Sequence, residues 1–265
     1  MAVKTRIDTL MVERGLSESR SQAQRLVMAG QVRLDGQVVY KASQTASRDA
    51  SIEIIALPKY VSRGGNKLEA GLEAFKIAPL DWICADVGAS TGGFTDCLLQ
   101  AGAKTIYAID VGKGQLHWRI RNDKRVISLE ETNARYLDQL PEPVDLVAID
   151  VSFIPLALIL PRAKSWLKSN GVIIALIKPQ FEAGRGQVGK GGVVRDRGVH
   201  EQVLHTIMAQ VRQMGLYPGG LLQSPLKGPK GNIEFLVLLT QDPSTPPAED
   251  LIPQVLLDNR THNGR

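Results

Sequence analysis

The spacing of hydrophobic positions changes several times along the chain, and each change predicts a different element. Between residues 7 and 28 apolar side chains recur at helical intervals, with Gly15 and Gly30 as stops, which predicts two short helices. Two short apolar runs then flank Asp35 and Gly36, a pair typical of a tight β-hairpin, and residues 52–55 predict another strand. Residues 1–57 are therefore predicted to form a small N-terminal α+β domain.

Beyond residue 66 short apolar runs alternate with helical patterns. Runs rich in valine and isoleucine predict strands at 82–87, 105–110, 126–129, 144–151 and 172–177. This alternation predicts a doubly wound, mostly parallel, Rossmann-like α/β sheet. The last two apolar runs, 216–223 and 233–240, are joined by a short turn, which predicts an antiparallel strand near the sheet edge.

Changes in composition predict the domain boundaries. We expect a linker at 58–65, a larger α/β domain at 66–241 and a loosely ordered tail at 242–265. Residues 184–192, which contain five glycines, are predicted to form a mobile loop.

Charge is distributed unevenly between the two predicted domains. Residues 1–67 contain 11 Lys and Arg against 6 Asp and Glu, whereas residues 68–265 contain 21 of each. The net charge of +5 is thus carried by the front of the chain, which suits a polyanionic partner. An ordinary soluble basic surface is the competing interpretation.

Composition also limits the class of protein. Neither cysteine has the paired spacing of a metal site, and both are predicted to be core thiols in a reducing compartment. The four histidines show no ligand spacing, so we predict no metal. No apolar run is long enough to span a membrane, and the N-terminus lacks a signal-peptide core, so we expect a cytoplasmic protein without a membrane partner.

The segment 82–95 reads as a buried strand, a glycine-rich turn and the start of a helix, an arrangement that binds nucleotides. A Walker phosphate loop would have lysine where Phe94 stands, and a dinucleotide fingerprint would have glycine where Ser90 stands. An adenosine ligand with little or no phosphate remains, and S-adenosylmethionine is the leading candidate; a turn without a ligand is the alternative. The cofactor contacts predicted in this segment are Asp86, Gly88, Ser90, Gly92, Gly93 and Phe94.

Two further residues are predicted to contact the cofactor. Asp110 ends the second strand of the sheet, where such folds place a carboxylate that accepts the ribose hydroxyls. Asn133 follows the third strand and could contact the adenine edge, although a helix cap explains it nearly as well.

Four charged residues are predicted to form a catalytic cluster. Asp150 and Lys178 follow apolar strands at the sheet edge where active sites assemble, Lys67 opens the first helix of the domain, and Glu234 begins the last strand. Two cations and two anions form a neutral group that can be buried, and such a cluster suits removal of a proton from an alcohol. Four unrelated surface or capping charges are the alternative.

The basic excess at the front of the chain includes arginines at polar positions. The planar, multiply donating guanidinium suits phosphate, although scattered arginines on short helices are also common on plain solvated faces. The candidates for contacts with a polyanion are Arg6, Arg14, Arg20, Arg25, Arg33 and Arg63.

These motifs together resemble a known family. The order Lys67, Asp150, Lys178, Glu234, with DVGASTGGFT at 86–95, IDVSF at 149–153 and KPQFE at 178–182, resembles the FtsJ-like ribose 2′-O-methyltransferases, and most closely the TlyA family, also called haemolysin A. Residues 1–57 resemble the RNA-binding domain of ribosomal protein S-four, which that family carries at its start.

The resemblance implies methyl transfer from S-adenosylmethionine to the 2′-hydroxyl of a cytidine in ribosomal RNA or ribosomal subunits. It implies that Lys178 deprotonates or orients that hydroxyl, that Asp150 and Glu234 set the charge state and position of Lys178, and that Lys67 completes the network. A membrane-active haemolysin and an inactive ribosome-binding assembly factor are the alternatives. The sequence predicts no particular oligomeric state.

Overall fold

The computed structural model describes residues 4–55, 58–184, 186–245 and 247–257. The chain divides into two compact units, residues 1–59 and 60–265, which are described separately below. Among the described residues no helix is both long and apolar enough to cross a membrane.

The front unit contains two helices and short antiparallel strands. Its elements are β1 (Lys4–Arg6), α1 (Ile7–Glu13), α2 (Arg20–Met28), β2 (Val32–Leu34), β3 (Gln37–Val39), β4 (Thr45–Ser47) and β5 (Ile52–Ile54). Strands β3, β2 and β5 form one sheet in that order, and β1 pairs with β4. The predicted hairpin is confirmed, since Asp35 and Gly36 both have positive φ, as a primed two-residue turn requires. The sequence prediction omitted β1 and β4, which are only three residues long.

Helical spacing in the front unit reflects a small apolar core. Ser19 caps α2 by accepting a hydrogen bond from the Gln22 backbone N–H at 3.2 Å, which fixes where the helix begins. The core side chains contributed by the helices and by the sheets are Ile7, Leu10, Met11, Ala23, Val27, Val32, Val39, Ala46 and Ala50.

The second unit is a doubly wound α/β domain. Its elements are α3 (Gly64–Ala74), β6 (Ile83–Val87), α4 (Gly93–Gln100), β7 (Thr105–Ile109), α5 (Trp118–Arg121), β8 (Val126–Leu129), β9 (Val144–Ile149), α6 (Leu160–Trp166), β10 (Leu167–Ile177), α7 (Pro179–Glu182), α8 (Arg197–Gln213), β11 (Tyr217–Gln223), β12 (Phe235–Thr240) and α9 (Ala248–Leu257). The sheet order is β11-β12-β10-β9-β6-β7-β8. Strand β12 is antiparallel to both neighbours and the remaining pairs are parallel, so the predicted fold is confirmed.

Alternating strand residues face two buried layers, as expected for a sheet covered by helices on both sides. Ala85 and Val87 of β6 pack in the layer that contains α6, α8 and α9 side chains. Cys84 packs in the opposite layer with side chains from α3, α4 and α5. Strands β6 and β9 are neighbours in the sheet. After β6 the chain adds β7 and β8 on one side, and after β9 it adds β10 on the other. The carboxyl ends of β6 and β9 therefore flank the crevice where such sheets bind ligands.

Two predicted boundaries of this unit are wrong. Tyr60, assigned to a linker, is 4% exposed and packs in the core layer beside α3 and α4. The predicted loose tail contains α9, whose Ile252 and Leu256 are 0% and 1% exposed. The apolar residues of α9 recur at helical spacing and complete a core layer. The sequence prediction missed this helical pattern because a polar segment precedes α9. Residues 258–265 of that prediction lie outside the described residues.

Candidate active site

The glycine turn after β6 packs against the residue that follows β9. Gly88 has φ +85°, and a Cβ at this position would lie 2.6 Å from the carbonyl oxygen of Asp150. Only glycine combines this backbone conformation with this close approach. The turn and the end of β9 therefore form one continuous rim at the edge of the sheet.

Asp86 holds the start of α4 from beneath this turn. Its carboxylate is 0% exposed, and Oδ2 accepts hydrogen bonds from the backbone N–H and the hydroxyl of Thr95 at 2.8 and 2.6 Å. Burial raises the pKa of Asp86 to about 7, and hydrogen bonds from Thr95 oppose that rise. Asp86 was predicted as a cofactor contact, but its buried position makes it a residue that positions the helix.

Gly92 and Gly93 are also required by packing within the protein. A Cβ on Gly92 would lie 3.1 Å from Leu116, and one on Gly93 would lie 2.1 Å from the Ser62 hydroxyl. Phe94, another predicted contact, is 3% exposed. Packing within the protein thus already accounts for these two glycines, and Gly93 and Phe94 also line a cavity described below.

The carboxyl ends of β6, β7 and β9 border a groove of about 500 Å³, here called the Asp110 groove. Asp110 lies at its wall, where Oδ2 accepts from the Ser90 backbone N–H at 2.8 Å and Oδ1 accepts from the Gly112 backbone N–H at 2.7 Å. The lining residues are Val87, Gly88, Ser90, Ile109, Asp110, Val111, Gln115, Thr132, Asn133, Ala134, Asp150, Val151, Ser152, Phe153, Ile154 and Ile159.

Asn133 both caps a short turn and lies at the proposed ligand groove, the two roles that the sequence left open. Its Oδ1 accepts a hydrogen bond from the Arg135 backbone N–H at 3.1 Å, so it caps the short 3₁₀ turn Ala134–Tyr136. The same residue lines the Asp110 groove.

The lining of the Asp110 groove carries two carboxylates, Asp110 and Asp150, and within the described residues it contains no lysine or arginine. A phosphate would find no positive partner there, whereas a nucleoside attached to a cationic group would be stabilised. The groove therefore suits a nucleoside without phosphates.

The four predicted catalytic residues form two ion pairs at the same edge of the sheet. Lys67 Nζ lies 2.5 Å from Glu234 Oε2, and Lys178 Nζ lies 2.5 Å from Asp150 Oδ1. Lys67, Lys178 and Glu234 are 7%, 8% and 2% exposed, and Asp150 is half-buried. Pairing offsets the cost of removing each charge from water.

Each ion pair spans two neighbouring cavities. The Lys67 cavity, about 470 Å³, is lined by Ser62, Arg63, Gly64, Lys67, Gly88, Ala89, Ser90, Thr91, Gly93, Phe94, Asp150, Lys227 and Pro229. The Lys178 cavity, about 340 Å³, is lined by Ser152, Phe153, Lys178, Gln180, Phe181, Gly192, Pro229, Lys230, Asn232 and Glu234. Each pair has one member in the Lys67 cavity and the other in the Lys178 cavity. The Asp110 groove shares Asp150 with the first of these cavities and Phe153 with the second.

Sequence reasoning missed Ser152 and Phe153. The Ser152 hydroxyl accepts a hydrogen bond from Lys178 Nζ at 3.0 Å. Phe153 is 89% exposed, has φ +65° and packs on Phe181 with ring centroids 4.8 Å apart. A positive φ at a bulky residue is unfavourable and marks functional sites when the surroundings enforce it. The IDVSF segment gave the position of this residue but not its exposure.

The loop predicted to be mobile is attached beside the Lys178 cavity. Asn232 is 3% exposed; its Nδ2 donates to the Gly192 carbonyl at 2.9 Å, and its Oδ1 accepts from the Val194 backbone N–H at 2.9 Å. These bonds fix the end of the loop, whereas residue 185 lies outside the described part of the chain.

The candidate RNA-binding arginines of the front unit fall into two groups. Arg6 and Arg20 bind the buried carboxylate of Asp8, and Arg14 donates to backbone carbonyls of residues 48 and 50. Arg25 and Arg33 are exposed, and neither has an ion pair or side-chain hydrogen bond among the described residues. The first group supports the fold, and the second is available to a ligand.

Arg63 belongs to the second unit. It is exposed, its guanidinium donates to the Lys227 carbonyl at 3.0 Å, and both residues line the Lys67 cavity. The basic side chain is therefore placed at the mouth of the site rather than on a linker.

Comparisons with known proteins agree with this geometry. Residues 60–241 match the model of the FtsJ-like methyltransferases, and residues 5–52 match the S4 domain. The 16S/23S rRNA (cytidine-2′-O)-methyltransferase TlyA of Mycobacterium tuberculosis is 45% identical over 246 residues, which cover 91% of this chain and 92% of that protein. Hemolysin A of Brachyspira hyodysenteriae is 43% identical over 238 residues, which cover 87% of this chain and 98% of that protein.

A solved structure from Streptococcus thermophilus, described as a candidate hemolysin, has a TM-score of 0.74 and 40% identity over the whole of both chains. A methyltransferase structure from Listeria monocytogenes, at 15% identity and TM-score 0.52, shares the fold alone; it covers 68% of this chain and all of that one. With its matching sheet and its leading S4 domain, this chain belongs to the FtsJ-like methyltransferase family.

Proposed function

We propose that the protein transfers a methyl group from S-adenosylmethionine to the ribose 2′-hydroxyl of a cytidine in ribosomal RNA. The observation that carries this proposal is the pair of buried ion pairs, each with one member in the Lys67 cavity and the other in the Lys178 cavity. Asp150 also lines the Asp110 groove, so its pair with Lys178 lies between a methyl donor in that groove and an acceptor in the Lys178 cavity. The TlyA name of the Mycobacterium tuberculosis relative supports the choice of substrate.

The residues around the Asp110 groove fit S-adenosylmethionine. The Asp110 carboxylate has acceptor capacity left for ribose hydroxyls, because each oxygen accepts only one hydrogen bond from the backbone. Ser90 and Asn133 line the same groove, and Asp150 supplies negative charge where it joins the Lys67 cavity. The cofactor supplies an electrophilic methyl group on a positively charged sulfur.

Lys178 is the residue proposed to direct the acceptor hydroxyl. Its Nζ lies 2.5 Å from Asp150 Oδ1 and donates to the Ser152 hydroxyl at 3.0 Å, so the ammonium is held in place and keeps an N–H for a ligand. Lys178 would orient the 2′-oxygen toward the methyl group, which the cofactor would supply before leaving as a neutral thioether. The hydroxyl proton would pass to the Asp150 carboxylate of the pair and then to water. Alignment and exclusion of water are the main contributions of the protein.

Lys67 and Glu234 are proposed to support this geometry. Their pair joins α3 to the start of β12 across the wall between the cavities. A Cβ on Gly228 would lie 2.4 Å from Glu234 Oε1, so the 226–231 turn packs tightly against the pair. The pair thereby fixes the floor of the site.

Phe153 is proposed as the platform for the target nucleotide. Its ring is exposed beside Lys178, and single-stranded bases bind proteins by stacking on such rings. The S4 domain is proposed to bind the folded RNA through phosphate contacts, for which Arg25 and Arg33 are available.

A labelling experiment tests the proposal. Ribosomal RNA and both ribosomal subunits are incubated with the purified protein and tritiated S-adenosylmethionine, and the RNA is digested to nucleosides. We expect label in 2′-O-methylcytidine; label confined to methylated bases, or no incorporation into any substrate, would refute the proposal.

A further inference from the structure

A buried polar atom of the Lys178 cavity lacks a hydrogen-bond partner among the described residues. The Gln180 Oε1 atom is buried and accepts no hydrogen bond from the described residues. Three other side-chain oxygens of this cavity have donors: Ser152 Oγ accepts from Lys178, Asn232 Oδ1 from the Val194 N–H, and Glu234 Oε2 from Lys67. A buried acceptor without a donor costs free energy, and the Gln180 residue as a whole is only half-buried at the cavity. A ligand that draws this amide into the cavity and supplies a donor therefore gains affinity at this point.

The backbone around Gln180 is held in place on both sides. Glu182 Oε1 accepts from the Leu156 backbone N–H at 2.8 Å, and the Phe181 backbone N–H donates to the Lys178 carbonyl at 2.8 Å. The Phe181 ring packs on Phe153. Gln180 is thus fixed relative to both the proposed stacking platform and the proposed catalytic lysine.

We propose that Gln180 recognises the target base, with Oε1 accepting a hydrogen bond from the exocyclic 4-amino group of cytosine. This inference rests on the proposed function, since it assumes that the Lys178 cavity receives the target nucleotide. Cytosine presents an N–H donor at this position, whereas uracil presents an oxygen, which would place a second acceptor against Oε1. A site built around an unpartnered polar atom discriminates strongly against a ligand that leaves the atom unpaired.

The test removes the two partners one at a time. A synthetic RNA fragment carrying the cytidine that the wild-type protein methylates is compared with a fragment in which 2-pyrimidinone, which lacks the 4-amino group, replaces that base. Single-turnover methylation of both RNAs is measured for the wild-type protein, Gln180→Leu, Gln180→Glu and the exposed control Gln213→Leu at the end of α8.

We expect the wild-type protein and Gln213→Leu to be about tenfold slower on the pyrimidinone RNA, the effect of one hydrogen bond of ordinary strength. Gln180→Leu should be about tenfold slower on cytidine and show no further loss on pyrimidinone. Gln180→Glu, which keeps an acceptor, should retain the dependence on the amino group. S-adenosylmethionine affinity should be unchanged in both Gln180 variants, because Gln180 does not line the Asp110 groove.

Equal sensitivity to the amino group in the wild-type protein and Gln180→Leu would overturn the assignment while leaving the proposed function intact. The assignment would also be overturned by two results together. In these, Gln180→Glu would no longer depend on the amino group, and Gln180→Leu would methylate cytidine at the wild-type rate. Absence of ribose methylation by the wild-type protein would overturn the proposed function, and the assignment with it.

Discussion

Both units of the molecule bury carboxylates against basic side chains, but they use them differently. In the front unit Asp8 is 0% exposed and accepts from Arg6, Arg20 and Gln24, and the Arg6 guanidinium holds the pKa of Asp8 well below its usual range. The second unit places its two lysine–carboxylate pairs in the walls of adjoining cavities.

The difference teaches that pairing alone does not identify a functional charge. Asp8 ties β1, α1 and α2 together, which is a structural role. Lys178 is also paired, yet it lines a cavity beside an exposed aromatic ring and an unpartnered amide oxygen. A charge held in place at an accessible cavity is prepared for chemistry, whereas one enclosed by its partners stabilises the fold.

The largest effect is expected from Lys178→Ala. Loss of a residue that handles the proton in the transition state should reduce the rate of methyl transfer by about 10²- to 10⁴-fold. S-adenosylmethionine affinity should change little, because Lys178 does not line the Asp110 groove. Single-turnover rates and equilibrium dialysis measure the two effects. The control is Lys168→Ala, which removes a lysine near the start of β10 that pairs with Asp145 of β9. A Lys178→Ala variant with full activity would refute the role of this lysine.

The next effect separates stability from activity at the Lys67–Glu234 pair. Lys67→Met should reduce the free energy of unfolding by about 3–5 kcal/mol, because it leaves the buried Glu234 carboxylate without a counter-charge. The double variant Lys67→Met/Glu234→Leu should recover most of that loss but remain inactive. Urea unfolding and methylation assays measure both. Recovery of activity along with stability would show that this pair is structural, like Asp8.

Asp86 is a buried carboxylate that has no ion pair with any of the residues that the structure describes. Its folded pKa of about 7 exceeds the unfolded value, roughly 3.9, so the folded state retains the proton within that interval. The proton on Asp86 contributes fully to the free energy of unfolding below about pH 4. This contribution, on the order of a few kcal/mol, is lost as the pH rises through about 7. Asp86→Asn should flatten this part of the pH profile of unfolding; an unchanged slope would contradict the assignment.

The smallest effect concerns the front arginines. Replacing both Arg25 and Arg33 with alanine should reduce the salt dependence of RNA binding by about two units of log–log slope without changing stability. Arg6→Ala/Arg20→Ala should instead lower the melting temperature, because Asp8 loses its charged donors. Filter binding across a salt series and thermal unfolding distinguish the pairs. Identical behaviour of the two double variants would remove the distinction between structural and ligand-binding arginines.

Much of the sheet could be predicted from the sequence because its strands are short apolar runs separated by helical patterns. The same logic located Asp150 and Lys178, since the carboxyl ends of adjacent parallel strands must meet at one edge. It failed for α9, where the preceding polar residues concealed an apolar face that completes the core.

Sequence patterns did not predict which site side chains are exposed or which of their polar atoms have hydrogen-bond partners. Nothing in the spacing of Phe153 indicated an exposed ring, and the buried position of Asp86 beneath the turn followed from three-dimensional packing with Thr95. The unpartnered oxygen of Gln180 appears only when the neighbouring donors have been assigned. Arginines presented the reverse problem, because similar sequence positions gave Arg6 a buried partner and left Arg25 exposed.

The central claim is that the paired charges direct methyl transfer to a cytidine 2′-hydroxyl, and nucleotide substitution tests it most directly. Ribosomal RNA is transcribed in four forms, each with one ribonucleotide replaced throughout by its 2′-deoxy counterpart, and each transcript is labelled by the wild-type protein. We predict that only the 2′-deoxycytidine transcript loses its label. Undiminished labelling of that transcript would contradict the account.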